Sequence, residues 1–175
     1  MNLIRLSPGP KPPQNLYAIV EIPRGGRNKY EYDPKLQLFR LDRVLYSSVH
    51  YPANYGFVPG TKAQDGDPAD ILVMTSEPTF TGCFMEVRPV GLFQMRDEAG
   101  EDEKILSVPV IDPHYNEVRE LGDVEHHFLR EVEHFFRIYK DLEGKTVETL
   151  GWEGRKAAEQ YVLETIKVYK DASEG

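Results

Sequence analysis

Three carboxylates fall within six residues at Asp65-Gly66-Asp67-Pro68-Ala69-Asp70, on a segment turned by Gly66 and Pro68. At that density like charges repel one another and raise the pKa of at least one member, so a fold keeps them together where a cation sits among them. Hard divalent ions with oxygen ligands are the natural partner, and a solvated acidic loop is the plain alternative. A calcium-sensor loop is excluded. That pattern needs Gly at its sixth position and a carboxylate at its twelfth, where this sequence has Asp70 and Ser76. A second acidic run, Asp97-Glu98-Ala99-Gly100-Glu101-Asp102, reads as a turn between β segments. Carboxylates arriving from two places can hold more than one ion, as phosphoryl-transfer sites with paired metals do.

Basic and phenolic groups are interleaved with these acids, as a site for a charged phosphate requires. Lys29 and Glu31 share one face of an expected strand, Arg43 points from another, Lys104 follows the second acidic run, and Tyr139-Lys140 ends an expected helix. Each has a structural alternative: Lys140 near a helix C-terminus meets the macrodipole favourably, and Tyr139 lies on an apolar stripe. Other motifs carry less. Arg24-Gly25-Gly26-Arg27 matches neither glycine-rich nucleotide pattern. His126, His127 and His134 lack zinc spacing and read as surface or interface residues, while His50 and His114 stand alone as structural ones. Cys83, on an expected strand, reads as a small buried hydrophobe.

The elements that must position these groups are mostly strands. After a Pro-rich lead over residues 1–15, read as an extended surface arm, Leu16 to Ile22 and Lys29 to Tyr32 are β-rich around a Gly-containing turn, which predicts a hairpin. Leu38 to Leu45 alternates as a third strand. Residues 50–70 are broken by Pro52, Gly56, Pro59, Gly60, Gly66 and Pro68 and read as a long loop holding Tyr51, Tyr55 and Phe57. Ile71 to Met74, Cys83 to Phe93 and Lys104 to Ile111 supply further strands. From Asp123, taken as N-cap, Val124, Phe128, Val132, Phe135, Phe136 and Tyr139 form one helical stripe. A second helix is expected from Trp152 to Tyr169.

With 175 residues the chain reads as one domain, 1–175. Its 29 acidic against 21 basic side chains give −8, which speaks against broad binding to nucleic acid or an anionic membrane surface. One cysteine precludes an intramolecular disulfide, and neither a signal peptide nor a bilayer-crossing stretch is evident, so a cytoplasmic location is expected.

Taken in order, the blocks resemble the soluble family I inorganic pyrophosphatases. Asp65 to Asp70 is similar to that family's D-G-D-P-x-D signature, and Tyr51-Pro52-Ala53-Asn54-Tyr55-Gly56-Phe57 precedes it as Y-P-x-N-Y-G-F does there. Ile19 to Pro23, Lys29-Tyr30-Glu31, Leu41-Asp42-Arg43, Arg88 to Gly91, Asp97 to Lys104, His134-Phe135-Phe136, Tyr139 to Glu143 and Gly151-Trp152 are similar too. Ala69 departs from the larger aliphatic more often found there, and His50 stands where an apolar residue is expected.

The resemblance implies an α+β fold with a mainly β core: a distorted five-stranded OB-like barrel with two long C-terminal helices packed on it. It implies Mg²⁺-dependent hydrolysis of pyrophosphate. Asp65, Asp70 and Asp102 would hold the activating metals and Asp97 would join for ions arriving with substrate. Glu21 and Glu31 would serve those ions directly or through water, and Asp67 would be the general base. Lys29, Arg43, Tyr55, Lys104, Tyr139 and Lys140 would bind the two phosphates. It also implies a homo-oligomer, a hexamer in many relatives; His134 matches one trimer-contact position, and Ile138 replaces the next histidine. Two other classes compete: a non-catalytic OB-fold module for oligonucleotides, which would need a basic groove, and a structural calcium protein, which leaves Lys29, Arg43, Lys104 and Lys140 without a purpose. The seven acids and four bases of the proposed site sum to −3, which repels pyrophosphate until divalent ions enter.

Overall fold

A computed structural model describes residues 1–174; Gly175 lies outside them. Eight strands and two α-helices follow one another as β1 (Leu16–Ile22), β2 (Asn28–Asp33), β3 (Leu38–Val44), β4 (Asn54–Phe57), β5 (Asp70–Val73), β6 (Phe84–Asp97), β7 (Gly100–Pro109), α1 (His126–Ile138), β8 (Glu148–Gly154) and α2 (Arg155–Glu174). The ladder order β1-β4-β5-β7-β6 closes through a β1–β6 pairing into a ring of five, as the resemblance implied, and β8 extends it on β6. β6 can serve three neighbours because its 14 residues divide: its first half pairs β1, its second half pairs β8, and β7 runs along most of it.

Continuous apolar runs in the ring reflect cover on both faces. Leu72 and Met74 pack with Val132, Phe135 and Phe136 of α1, whereas Ile71 and Val73 pack with Ala158, Val162 and Ile166 of α2. Leu92 and Phe93 divide in the same way, as do Ile105 and Leu106. Each large side chain buried in this way contributes roughly 1.5–3 kcal/mol.

Several elements differ from expectation. The hairpin of β1 with β2 does not form, because both edges of β1 are taken by β4 and β6; β2 pairs with β3 alone, as a separate two-stranded sheet. A bulge sets Lys29 opposite Arg43 but Tyr30 opposite Leu41, so Asp42 is the extra residue and strict alternation along β3 is lost. The long loop over 50–70 contains β4. Its Gly56 reads as a breaker in sequence but marks a close backbone approach, since a Cβ there would lie 1.9 Å from the Ile19 carbonyl oxygen.

The second acidic run is mostly strand: Asp97 ends β6, the turn is Glu98-Ala99, and Glu101 and Asp102 lie on β7. α1 is capped by Glu125, whose carboxylate accepts from Phe128 N–H at 2.8 Å, and not by Asp123, which accepts from Arg119 and Glu120 N–H. Trp152 lies in β8 against Phe93, so the second helix starts later, at Arg155. Cys83 is partly exposed in the turn before β6. The lead is no free arm. Leu3, Ile4 and Leu6, around a 3₁₀ turn at Leu3–Arg5, pack on Ile19, Tyr32 and Phe57.

Candidate active site

A cavity of about 340 Å³ opens at one end of the barrel, and all thirteen residues expected in the site line it. Glu21 comes from the end of β1, Lys29 and Glu31 from β2, Arg43 from β3, Tyr55 from β4, Asp70 from the start of β5, Asp97 from the end of β6, and Asp102 and Lys104 from β7. Tyr139 and Lys140 enter from the C-terminal end of α1. The acidic loop is shaped locally: Asp65 Oδ1 accepts from Asp67 N–H at 3.0 Å, and Gly66 takes φ +97°. Ala69 N–H donates to Thr61 Oγ1 at 2.9 Å, which anchors the buried Ala69 so that Asp65 and Asp67 stay exposed while Asp70 turns inward.

Register decides the centre of the site. β5 and β7 run parallel with Asp70 opposite Lys104, and Asp102 shares Lys104's face two residues earlier. The buried Lys104 ammonium therefore donates to Asp70 Oδ2 at 2.8 Å and to Asp102 Oδ1 at 2.9 Å. Tyr55 Oη donates to the same Asp70 oxygen at 2.5 Å. Lys140 donates to Asp97 Oδ2 at 2.8 Å, and Lys29 lies 2.5 Å from Glu31 Oε1. Each of the three lysines expected in the site, Lys29, Lys104 and Lys140, is thus held by a carboxylate expected to bind metal.

Burial opposes the charge on Lys104, but Asp70 and Asp102 outweigh it and keep the ammonium well above its ordinary range. Burial likewise pushes Glu21 up to about 8, despite the Tyr32 N–H donated to it at 2.8 Å. Partial burial, then the charges of Asp65 and Asp70, raise Asp67. Asp97 is held low: burial raises it, but the Lys140 hydrogen bond and the Ala99 N–H prevail.

Among the described residues no three Asp, Glu, His or Cys side chains converge into a ready-made metal cage. The donor set is nonetheless of one chemical kind, seven carboxylates with neither thiolate nor imidazole in the cavity, which suits a hard divalent ion. Sequence reasoning missed several lining residues. Lys145, which pairs with Glu98 at 3.3 Å, brings the count to seven acids against five bases, a sum of −2 where four bases gave −3. Tyr51 stands in the quoted aromatic block and could have been found there; Ile4 and Pro34 reach the rim from segments without a chemical signal. The histidines lie outside the cavity. A cavity so rich in carboxylates gives no support to an oligonucleotide groove.

The inorganic pyrophosphatase family model matches residues 18–170. An inorganic pyrophosphatase from Methanosarcina acetivorans is 51% identical over 152 residues, 87% of this chain and 90% of that one. Another from Haloferax volcanii is 47% identical over 164 residues, 93% of each. The crystal structure of inorganic pyrophosphatase from Thermus thermophilus superposes with a TM-score of 0.95 at 44% identity, covering 97% of this chain and 99% of that one. With the motif blocks, the five-stranded ring and the cavity in agreement, the chain belongs to the inorganic pyrophosphatase family.

Proposed function

We propose that this chain hydrolyses inorganic pyrophosphate to two phosphates, using several Mg²⁺ ions, and so drives biosynthetic reactions forward. The observation that carries the reading is one cavity in which seven carboxylates stand among five cations and four phenols. Asp65, Asp70 and Asp102 would hold the activating ions, with Asp97, Glu21 and Glu31 serving those that enter with substrate. Divalent ions held there supply the positive charge that acidifies the attacking water and offsets the phosphates.

Asp67 accepts the proton of that water. Its raised pKa suits a base that must take a proton near neutral pH and release it afterwards. Lys29, Arg43, Lys104, Lys140, Tyr55 and Tyr139 donate to phosphate oxygens and stabilise charge on the leaving group, so that positioning and electrostatics carry most of the barrier reduction. Lys104 and Lys140 sit on Asp70, Asp102 and Asp97, so both ammonium groups are held beside the carboxylates that would hold the ions and within reach of a phosphate bound between them.

No helix of the described chain is long and apolar enough to cross a membrane. We place the enzyme in the cytoplasm as a homo-oligomer, hexameric by family resemblance, with residues 1–175 as one domain, and assign it neither nucleic acid nor membrane as partner. The test is phosphate release from pyrophosphate by the purified chain: it should require Mg²⁺ and stop with chelator. Folded protein without such activity overturns the reading.

A further inference from the structure

Arg43 reaches the cavity from the β2–β3 hairpin, which shares no ladder with the barrel. A long side chain on a separate hairpin loses aim unless something fixes it. Arg43 Nε lies 3.2 Å from Oε1 of Glu143, in the 3₁₀ turn Asp141–Glu143 that follows Lys140. The Glu143 side chain is 10% exposed and that of Arg43 24%. The two atoms are in ionic contact but not aligned as a hydrogen bond, and Glu143 Oε2 has no hydrogen-bond partner either. A carboxylate so buried and so poorly hydrogen-bonded is compensated by the charge opposite it. On its far side, Arg43 Nη1 lies 3.1 Å from Asp42 Oδ2, within the same hairpin. Among the described residues, Arg43–Glu143 is the one ion pair that links the hairpin to the rest of the chain.

We propose that Glu143 is a positioning residue for pyrophosphate binding: its carboxylate aims the Arg43 guanidinium into the cavity and fixes the hairpin against the end of α1. This rests on the reading of Arg43 as a phosphate ligand. Lys140 and Glu143 then belong to one short turn that delivers one phosphate donor and orients another.

A double-mutant cycle on the full-length chain tests it, with Glu143→Gln, Arg43→Ala and the double variant. Two readouts are used, the KM and kcat of pyrophosphate hydrolysis and the equilibrium Kd of the non-hydrolysed analogue imidodiphosphate. Glu143→Gln should raise KM and Kd about tenfold and change kcat less than about twofold, whereas in the Arg43→Ala background it should move Kd less than about twofold. Glu143→Asp keeps the charge and should recover part of the affinity; it also carries the cycle if the glutamine variant does not fold. An unchanged Kd for Glu143→Gln, or an equal loss in both backgrounds, overturns the proposal. Hydrolysis by the wild-type chain is scored separately, so a failure of the functional reading is distinguishable from a failure of the Glu143 assignment.

Discussion

Lys104→Met isolates the central charge of the site. Lys104 is 1% exposed, and its ammonium has three partners in the site: Asp70 at 2.8 Å, Asp102 at 2.9 Å and Tyr55 Oη at 3.4 Å. It also lies 5.3 Å from the Tyr55 ring centroid and 5.1 Å from that of Phe136. Methionine keeps nearly the same volume, so no large cavity opens. Removing one side of a buried ion pair costs roughly 3–5 kcal/mol, because the remaining charge is left uncompensated. Here the two carboxylates keep 27% side-chain exposure each, and water recovers part of that loss. We therefore expect about 3 kcal/mol, a large share of the 5–15 kcal/mol typical of a domain.

The assay is equilibrium denaturant unfolding of the metal-free protein at neutral pH and near pH 5, with and without Mg²⁺. Burial already raises Asp102 above its unfolded 3.8 and the Lys104 charge opposes that rise, so without Lys104 the Asp102 carboxyl, left facing Asp70, moves further up. The destabilisation is then present above that value and shrinks as pH falls. Mg²⁺ should stabilise the variant more than the wild type, since a divalent ion can take the place of the ammonium. A variant whose metal-free midpoint matches the wild type, or whose deficit is the same at both pH values, refutes this account of Lys104.

Asp67→Asn should lower kcat by about 10²–10⁴ while leaving Mg²⁺ affinity, measured by calorimetry, nearly unchanged; equal loss of both would make Asp67 an ordinary ligand. Asp112 lies away from the cavity: burial raises it, but Ser76 Oγ and N–H and the His114 N–H outweigh this and hold it at about 2. A folded pKa below the unfolded 3.8 stabilises above that value and is lost as pH falls toward 2. Asp112→Ala should therefore cost about 1–2 kcal/mol at neutral pH, and its unfolding midpoint should converge with the wild type's across that window. Gly56→Ala forces a Cβ to 1.9 Å from the Ile19 carbonyl, so we expect a loss above about 4 kcal/mol, read as soluble yield and denaturant midpoint. A wild-type midpoint would mean that β1 and β4 separate at little cost.

The chemistry was legible in the residues. The spacing of Asp65, Asp67 and Asp70 and the lysines among the acids point toward a metal and phosphate chemistry before any fold is known, because charge and donor type are properties of side chains. Local periods also located most strands and both helices, since alternation and the 3.6-residue stripe need no partner to be read. Partnership was not local. Nothing near β1 announces that β4 and β6 occupy both its edges, so the expected hairpin gave way to a closed ring and left β2–β3 as a separate two-stranded sheet packed on it through side chains. Gly56 carries opposite meanings as a loop breaker and as the contact point of two strands, and only the neighbouring Ile19 decides between them.

The same holds within the site. Composition supplied the acids and bases, but the parallel register of β5 on β7 set Asp70 across from Lys104, and the turn after α1 brought Lys140 to Asp97 and Glu143 to Arg43. Those pairs join residues separated by 34, 43 and 100 positions. A sequence determines which charges a chain owns; the distances between them, and so their pKa values and their work, exist only after the backbone has paid the entropy of closing those loops.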